Sequence, residues 1–373
     1  MLERLEKWKP FKKFLVLWEK YEQVFTGISM IIGFCGDLLL ANRPDSILDN
    51  TILIVYLLMA GGIIIVLNQR EIKKLEQEHP AEPILLLLTL QFLFGSLSSN
   101  MLVLYGKSGT FTADAIFVSF LLFMLLGNEV FKTRYGQLRF NITIYYILTF
   151  TYLIIAVPTF VFHQIGTWVF LASGALSLAY IALFLTAVYR FVLRGKYRVF
   201  HLVEVGAYIG IVYVVFTIFY FINVIPPVPL SIKEIGIYHS VSHTTAPDAY
   251  YDLSYEAAPW YEFWRSTSET YHITLGNPAY CVSSVFAPTD LSTPIVHSWK
   301  FYNETTGKWV ERAKISFAIN GGRARGYRGF SAKTVTTGQW RCDVETYSGK
   351  LIGRTTFTVT SDTPAPNLSS KTL

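Results

Sequence analysis

Over the first 225 residues the chain alternates long apolar stretches with short charged ones; after that, apolar and polar positions alternate in short runs. Seven apolar stretches, at 24–41, 51–68, 83–104, 111–130, 142–162, 166–190 and 201–225, are long enough or nearly so to span a hydrocarbon core of about 30 Å at roughly 1.5 Å per residue. This pattern predicts a transmembrane bundle of seven helices over 23–226. The first and fourth stretches are the weakest, because each holds an aspartate, Asp37 and Asp114. Beyond residue 226, period-two runs bounded by Gly, Pro, Asn and Asp predict strands at 271–275, 279–286, 295–302, 309–319, 339–346 and 351–359. The fold class is therefore α+β: a polytopic helical part followed by an all-β, immunoglobulin-like sandwich over 236–361. Pro226-Pro227-Val228-Pro229 heads a stiff linker over 227–235, and the polar tail 362–373 is expected to be disordered.

Composition sharpens the membrane reading. Of the 373 residues 52% are apolar and only 16% charged, and the mean hydropathy is +0.37, a balance foreign to soluble domains of this length. The formal charge of +6 does not point to nucleic acid, because the excess lies between apolar stretches rather than on one folded face. Lys and Arg number six before the first stretch (Arg4, Lys7, Lys9, Lys12, Lys13, Lys20), three around 69–82, three around 131–140 and four around 190–199. The intervening loops hold only Arg43 and Lys107. That alternation keeps register with seven crossings and puts the N-terminus in the cytoplasm and the β domain on the outer side, periplasmic or extracellular.

Residues 1–22 show no cleavable signal. Instead Leu2, Leu5, Trp8, Phe11, Leu15 and Trp18 recur at helical spacing beside lysines, which suits an interfacial helix interrupted at Pro10 or a plain basic flank. Within the bundle, Asp37, Ser98, Ser99, Asn100 and Asp114 share an outer depth. They either line an outward-facing polar pocket or snorkel to water. Glu129 and Glu204 sit at inner ends, Pro158 is placed to kink the fifth helix, and Gly61, Gly62, Gly174 and Ala175 suit close helix packing. A serine-protease context around Ser98, an HExxH pair and an inverted repeat are all lacking.

In the β region the order Cys281, Trp299, Cys342, with Trp340 two residues before the second cysteine, resembles the strand B, C and F pattern of immunoglobulin domains. A Cys281–Cys342 disulfide is one expectation, and two separate thiols in neighbouring strands the other. Cys35 belongs to the first apolar stretch. His297-Ser298-Trp299, Tyr327-Arg328-Gly329-Phe330-Ser331, Gly338-Gln339-Trp340, Gly349-Lys350-Leu351 and Thr356-Phe357-Thr358-Val359 follow one another in order. That set resembles the bacterial domain of unknown function 2914 over about the last third of the chain. The resemblance implies a bacterial cell-envelope location and a C-terminal sandwich, and no established activity.

Two surface sites are candidates. Trp260 and Trp264, in Trp-Tyr-Glu-Phe-Trp, either stack on a saccharide or peptide or pack in the core; Arg323, Arg325 and Arg328, in a Gly-rich stretch, either cradle an anion or belong to a solvated hairpin. Trp299 and Trp340 read as core, and Trp309 as facing outward. His239, His243, His272 and His297 lack a completing ligand spacing, so neither a metal nor a cofactor is expected. The leading functional expectation is a non-enzymatic inner-membrane protein that presents a binding domain to an envelope glycan, peptide or protein. The alternative classes are a transporter or lipid- or glycan-modifying enzyme using the Asp37–Asp114 pocket, and a structural subunit of a larger complex.

Overall fold

The computed structural model describes residues 24–36, 44–76, 84–106, 134–191, 198–244, 250–262, 265–273, 277–323, 326–361 and 367–372, together with Tyr21 and Ser108. The chain divides into two compact units. The first is helical. The second comprises 105–115, 157–169 and everything from Tyr220 onward.

Six helices are described: α1 (Val24–Gly36), α2 (Ile47–Glu76), α3 (Ile84–Gly106), α4 (Arg134–Val157), α5 (Thr167–Phe191) and α6 (Arg198–Phe221). Five of them, α2 to α6, are long and apolar enough to cross a membrane, and α1 is a shorter apolar helix. The count of seven is thus five among the described residues; 111–130 and the outer end of the first stretch lie outside them. Pro158 lacks the N–H that an α-helical turn needs. It opens a π-helical turn, Pro158–Phe162, that closes at a left-handed His163.

Small residues set the closest approaches in the helical unit. A Cβ on Gly33 would lie 2.2 Å from the Phe92 carbonyl oxygen, and one on Gly95 would lie 2.0 Å from that of Met30, so α1 and α3 touch backbone to backbone. Gly61 and Gly174 make room for the rings of Tyr145 and Tyr213, whereas Gly62 faces open space. Phe150 packs against Phe170, Tyr213 and Phe216, joining α4, α5 and α6. Near their first turns Arg139 and Glu204 pair at 2.7 Å, so α4 and α6 begin at the same end of the bundle.

The second unit contains eleven strands among the described residues: β1 (Ser231–Tyr238), β2 (Ser240–Thr244), β3 (Tyr250–Tyr255), β4 (Thr270–His272), β5 (Ala279–Phe286), β6 (Ser292–Asn303), β7 (Lys308–Asn320), β8 (Tyr327–Lys333), β9 (Gly338–Thr346), β10 (Leu351–Thr360) and β11 (Ser369–Thr372). They form sheets of order β1-β5-β8, β4-β10-β9-β6-β7 and β11-β3-β2. The first two face each other across a core of alternate residues that includes Ile237, Ala279, Cys281, Trp299, Trp340, Cys342 and Phe357, extended by Val285, Ile295, Val344 and Ile352. The third sheet lies on the outer side of the first through Tyr238, Leu253 and Val282.

Two boundary expectations change. The stiff linker expected over 227–235 is shorter than that: Ile225, Val228 and Leu230 are buried, and β1 starts at Ser231. The tail is not wholly disordered, because β11 pairs antiparallel with β3 and is tied by Lys371 to Glu234 at 2.7 Å.

Candidate functional site

Among the residues singled out in the sequence, Asp37, Asp114, Trp264 and Arg325 lie outside the described residues. Ser98, Ser99 and Asn100 are buried in α3, where Asn100 donates to the Ser96 carbonyl at 2.9 Å. Trp260 is 90% exposed and meets Tyr261 edge-on, with ring centroids 6.0 Å apart. Its loop is fastened by Arg265, which donates to the Thr356 carbonyl of β10 at 2.6 Å. Arg323 lies over the Tyr327 ring at 5.0 Å, and Arg328 stands on β8, an edge of the first sheet. Trp260 thus lies in the loop between β3 and β4, whereas Arg323 and Arg328 lie just before and on β8.

The most strongly built polar arrangement is one that sequence reasoning missed. It covers the outer face of the five-stranded sheet. Because side chains alternate, β9 points Trp340, Cys342 and Val344 into the core and Arg341, Asp343 and Glu345 out. Register sets Arg354 and Ser298 beside Asp343, and Lys300 beside Arg341. Lys300 reaches Asp343 at 2.8 Å and Glu345 at 2.7 Å, while Arg354 grips both Asp343 oxygens at 2.5 and 3.1 Å. Arg341 stands 3.3 Å from Asp343 and lies over the Trp309 ring at 4.6 Å, and Trp309 in turn packs on Tyr302. Three cations around two carboxylates leave one positive charge in excess.

Burial works to raise the Asp343 pKa, but hydrogen bonds from Arg354 and Lys300 outweigh it and hold the carboxyl below its ordinary value. The charges at alternate positions of β9 were visible in the sequence. Their partners were not, since pairing depends on register between strands far apart in the chain.

Two other polar clusters lie deeper. His297 is fully buried between Ser283 and Ser331, at 2.7 and 2.9 Å, and the Trp299 indole N–H donates to the same Ser331 oxygen at 2.9 Å. Burial pushes the His297 pKa down to about 3, so the ring is neutral. A serine beside a histidine is the beginning of a nucleophilic pair, but here no surface of either group meets substrate and a second serine occupies the place of the orienting acid. Cys281 and Cys342 are joined by a disulfide between the sheets, and their sulfurs lie within 4.8 Å of a His297 nitrogen. The sulfurs are bound to each other and both ring nitrogens are hydrogen-bonded, so this cluster offers a metal no free ligand atom.

The second cluster bridges sheets. Glu256 accepts from His239 and His272, each at 2.8 Å, and from the His272 backbone N–H at 2.7 Å. Burial would raise its pKa, but those hydrogen bonds more than offset it and keep the carboxyl below its ordinary value.

Residues 292–359 match the model of a family described as a protein of unknown function, DUF2914. The DUF2914 match spans β6 to β10, hence the whole outer-face ladder and the buried His297, Trp299 and Ser331. No curated protein matches the chain in sequence. An immunoglobulin-like protein from Pseudomonas aeruginosa, known from a crystal structure at 1.50 Å, is 12% identical with a TM-score of 0.20 and covers 34% of this chain and 97% of its own. The immunoglobulin-like assignment here rests on strand order and on the inter-sheet disulfide packed near a buried tryptophan.

Proposed function

We propose that this chain is a multi-pass membrane protein of the bacterial cell envelope with seven crossings and a cytoplasmic N-terminus. Its β domain, on the outer side, works as a non-enzymatic recognition module for an envelope saccharide, peptide or protein partner. One observation carries this reading: the domain seals its reactive groups, Ser283, His297 and the cysteines, in the core, and presents an exposed tryptophan and the partly exposed cations Lys300, Arg341 and Arg354 that cover a buried Asp343. The apolar helices support anchoring, and the loop charges support the orientation.

The test is binding of the full-length protein, held in lipid nanodiscs, to an array of envelope saccharides, peptidoglycan fragments and peptides. Specific binding that is lost in Trp260→Ala or Lys300→Ala supports the reading and shows which part of the surface reads the ligand. Binding to none of them, with the protein folded, overturns recognition of these classes and shifts attention to the helical unit. A pair of reporters, one active only in the cytoplasm and one only after export, fused after Thr360, tests the orientation independently.

A further inference from the structure

Three segments of the second unit meet at Tyr220, in the last turn of α6. Lys350, buried at the close of the β9–β10 hairpin, donates its Nζ to the Tyr220 carbonyl at 3.2 Å and sits 3.1 Å from the centre of the Tyr220 ring. The Tyr220 carbonyl also accepts from the Asn223 N–H at 3.3 Å, and the lysine adds a cation at the negative end of the helix dipole. From its other end Tyr220 donates its hydroxyl to Thr167 Oγ1 at 3.5 Å, which ties in the segment between the π-helical turn and α5. The hairpin, the end of α6 and the start of α5 are thereby held at one level.

At that level each segment exposes large apolar groups: Phe160, Val161 and Trp168 from the first connection, Phe221 and Ile222 just beyond Tyr220, and Tyr347 at the hairpin tip, 79% exposed. A turn facing only water has no use for such a collar. Of these, Trp168 and Tyr347 are amphipathic rings, which suit the headgroup layer, where one end is apolar and the other wet.

The tip is also rigid. Thr346 and Lys350 close the turn at 2.8 Å, Gly349 donates back to Thr346 at 2.9 Å, and the Thr346 and Ser348 hydroxyls meet at 2.9 Å. Gly349, at φ +82°, supplies the left-handed step that lets the turn reverse. Tyr347 is therefore presented in place rather than on a loose loop.

We propose that the β9–β10 hairpin is a membrane foot: Tyr347 inserts into the interfacial layer of the bilayer. This rests on the membrane reading of the helices. The Lys350 ammonium is spent on Tyr220, so docking depends on the apolar interface and not on headgroup charge.

The experiment uses the full-length protein in nanodiscs, with Cys35→Ser and an environment-sensitive fluorophore on Tyr347→Cys, Trp260→Cys or Phe221→Cys, quenched by lipids carrying a shallow spin label. The foot requires the label at 347 to be quenched severalfold more than the one at 260, equally in zwitterionic and anionic discs. A label at 347 that stays in water while the one at 221 is quenched overturns the foot and leaves the membrane reading intact. No quenching at 221 either removes both. Quenching at 347 only in anionic discs also overturns the proposal, by showing attraction to charge instead.

Discussion

Asp343 and Lys350 are buried ionisable groups on one hairpin; the fold lowers the pKa of each, so stability rises with pH in both cases but in different windows. Asp343 has no exposed surface and survives because Lys300 and Arg354 donate to it. Removing one member of such a set leaves uncompensated charge, so Asp343→Ala should cost about 3–5 kcal/mol, measured by denaturant unfolding of the full-length protein followed by tryptophan fluorescence. The stability Asp343 contributes is complete above the ordinary carboxylate range and is lost as pH falls through its lowered pKa. For Lys350, burial lowers the pKa to about 7, so the unfolded chain binds the extra proton between about pH 7 and the ordinary lysine value near 10.4, and stability rises with pH across that window. Thermal midpoints of the parent and of Lys350→Met, compared across the window, should shift in favour of the parent as pH rises. A constant difference would show that the ammonium carries no such penalty.

At the scale of elements, the inter-sheet disulfide closes a loop with a sequence separation of 61 and joins β5 to β9. By loop-closure entropy it is worth about 4 kcal/mol, and the double Cys281→Ala, Cys342→Ala variant should lose up to that amount in denaturant unfolding. The tail strand is a weaker element. Its Lys371–Glu234 pair is partly exposed, so Lys371→Ala should cost less than about 1 kcal/mol by the same measurement. The strands read from the sequence were those with strong alternation, β5 to β7, β9 and β10, together with β4, which was read as 271–275 and runs Thr270–His272. β8 was overlooked because its Gly329 sits in a Gly-rich run, yet that glycine is required: a Cβ there would lie 2.2 Å from the Phe317 ring. β11 was overlooked because Ser369, Ser370 and Thr372 carry no apolar signal; its place comes from the edge that β3 offers.

Across the whole molecule, an apolar helical unit is followed by a β unit whose inner face is sealed and whose outer face is charged. If the exposed loop serves recognition and not folding, Trp260→Ala should change thermal stability by no more than about 0.5 kcal/mol while altering binding. The sequence by itself determined that an apolar helical region precedes a β region, the position of five long apolar helices, the main strands and the burial of Trp299 and Trp340. Each of these follows from local periodicity and composition, which act over a few turns or strand lengths. Tertiary structure alone decided that Arg341, Asp343 and Glu345 meet Lys300 and Arg354, that His297 is locked between two serines, and that Lys350 fastens to the end of α6. Those contacts join residues 11 to 130 positions apart. They exist because register and sheet packing bring distant backbones within hydrogen-bond reach, information that no local pattern contains.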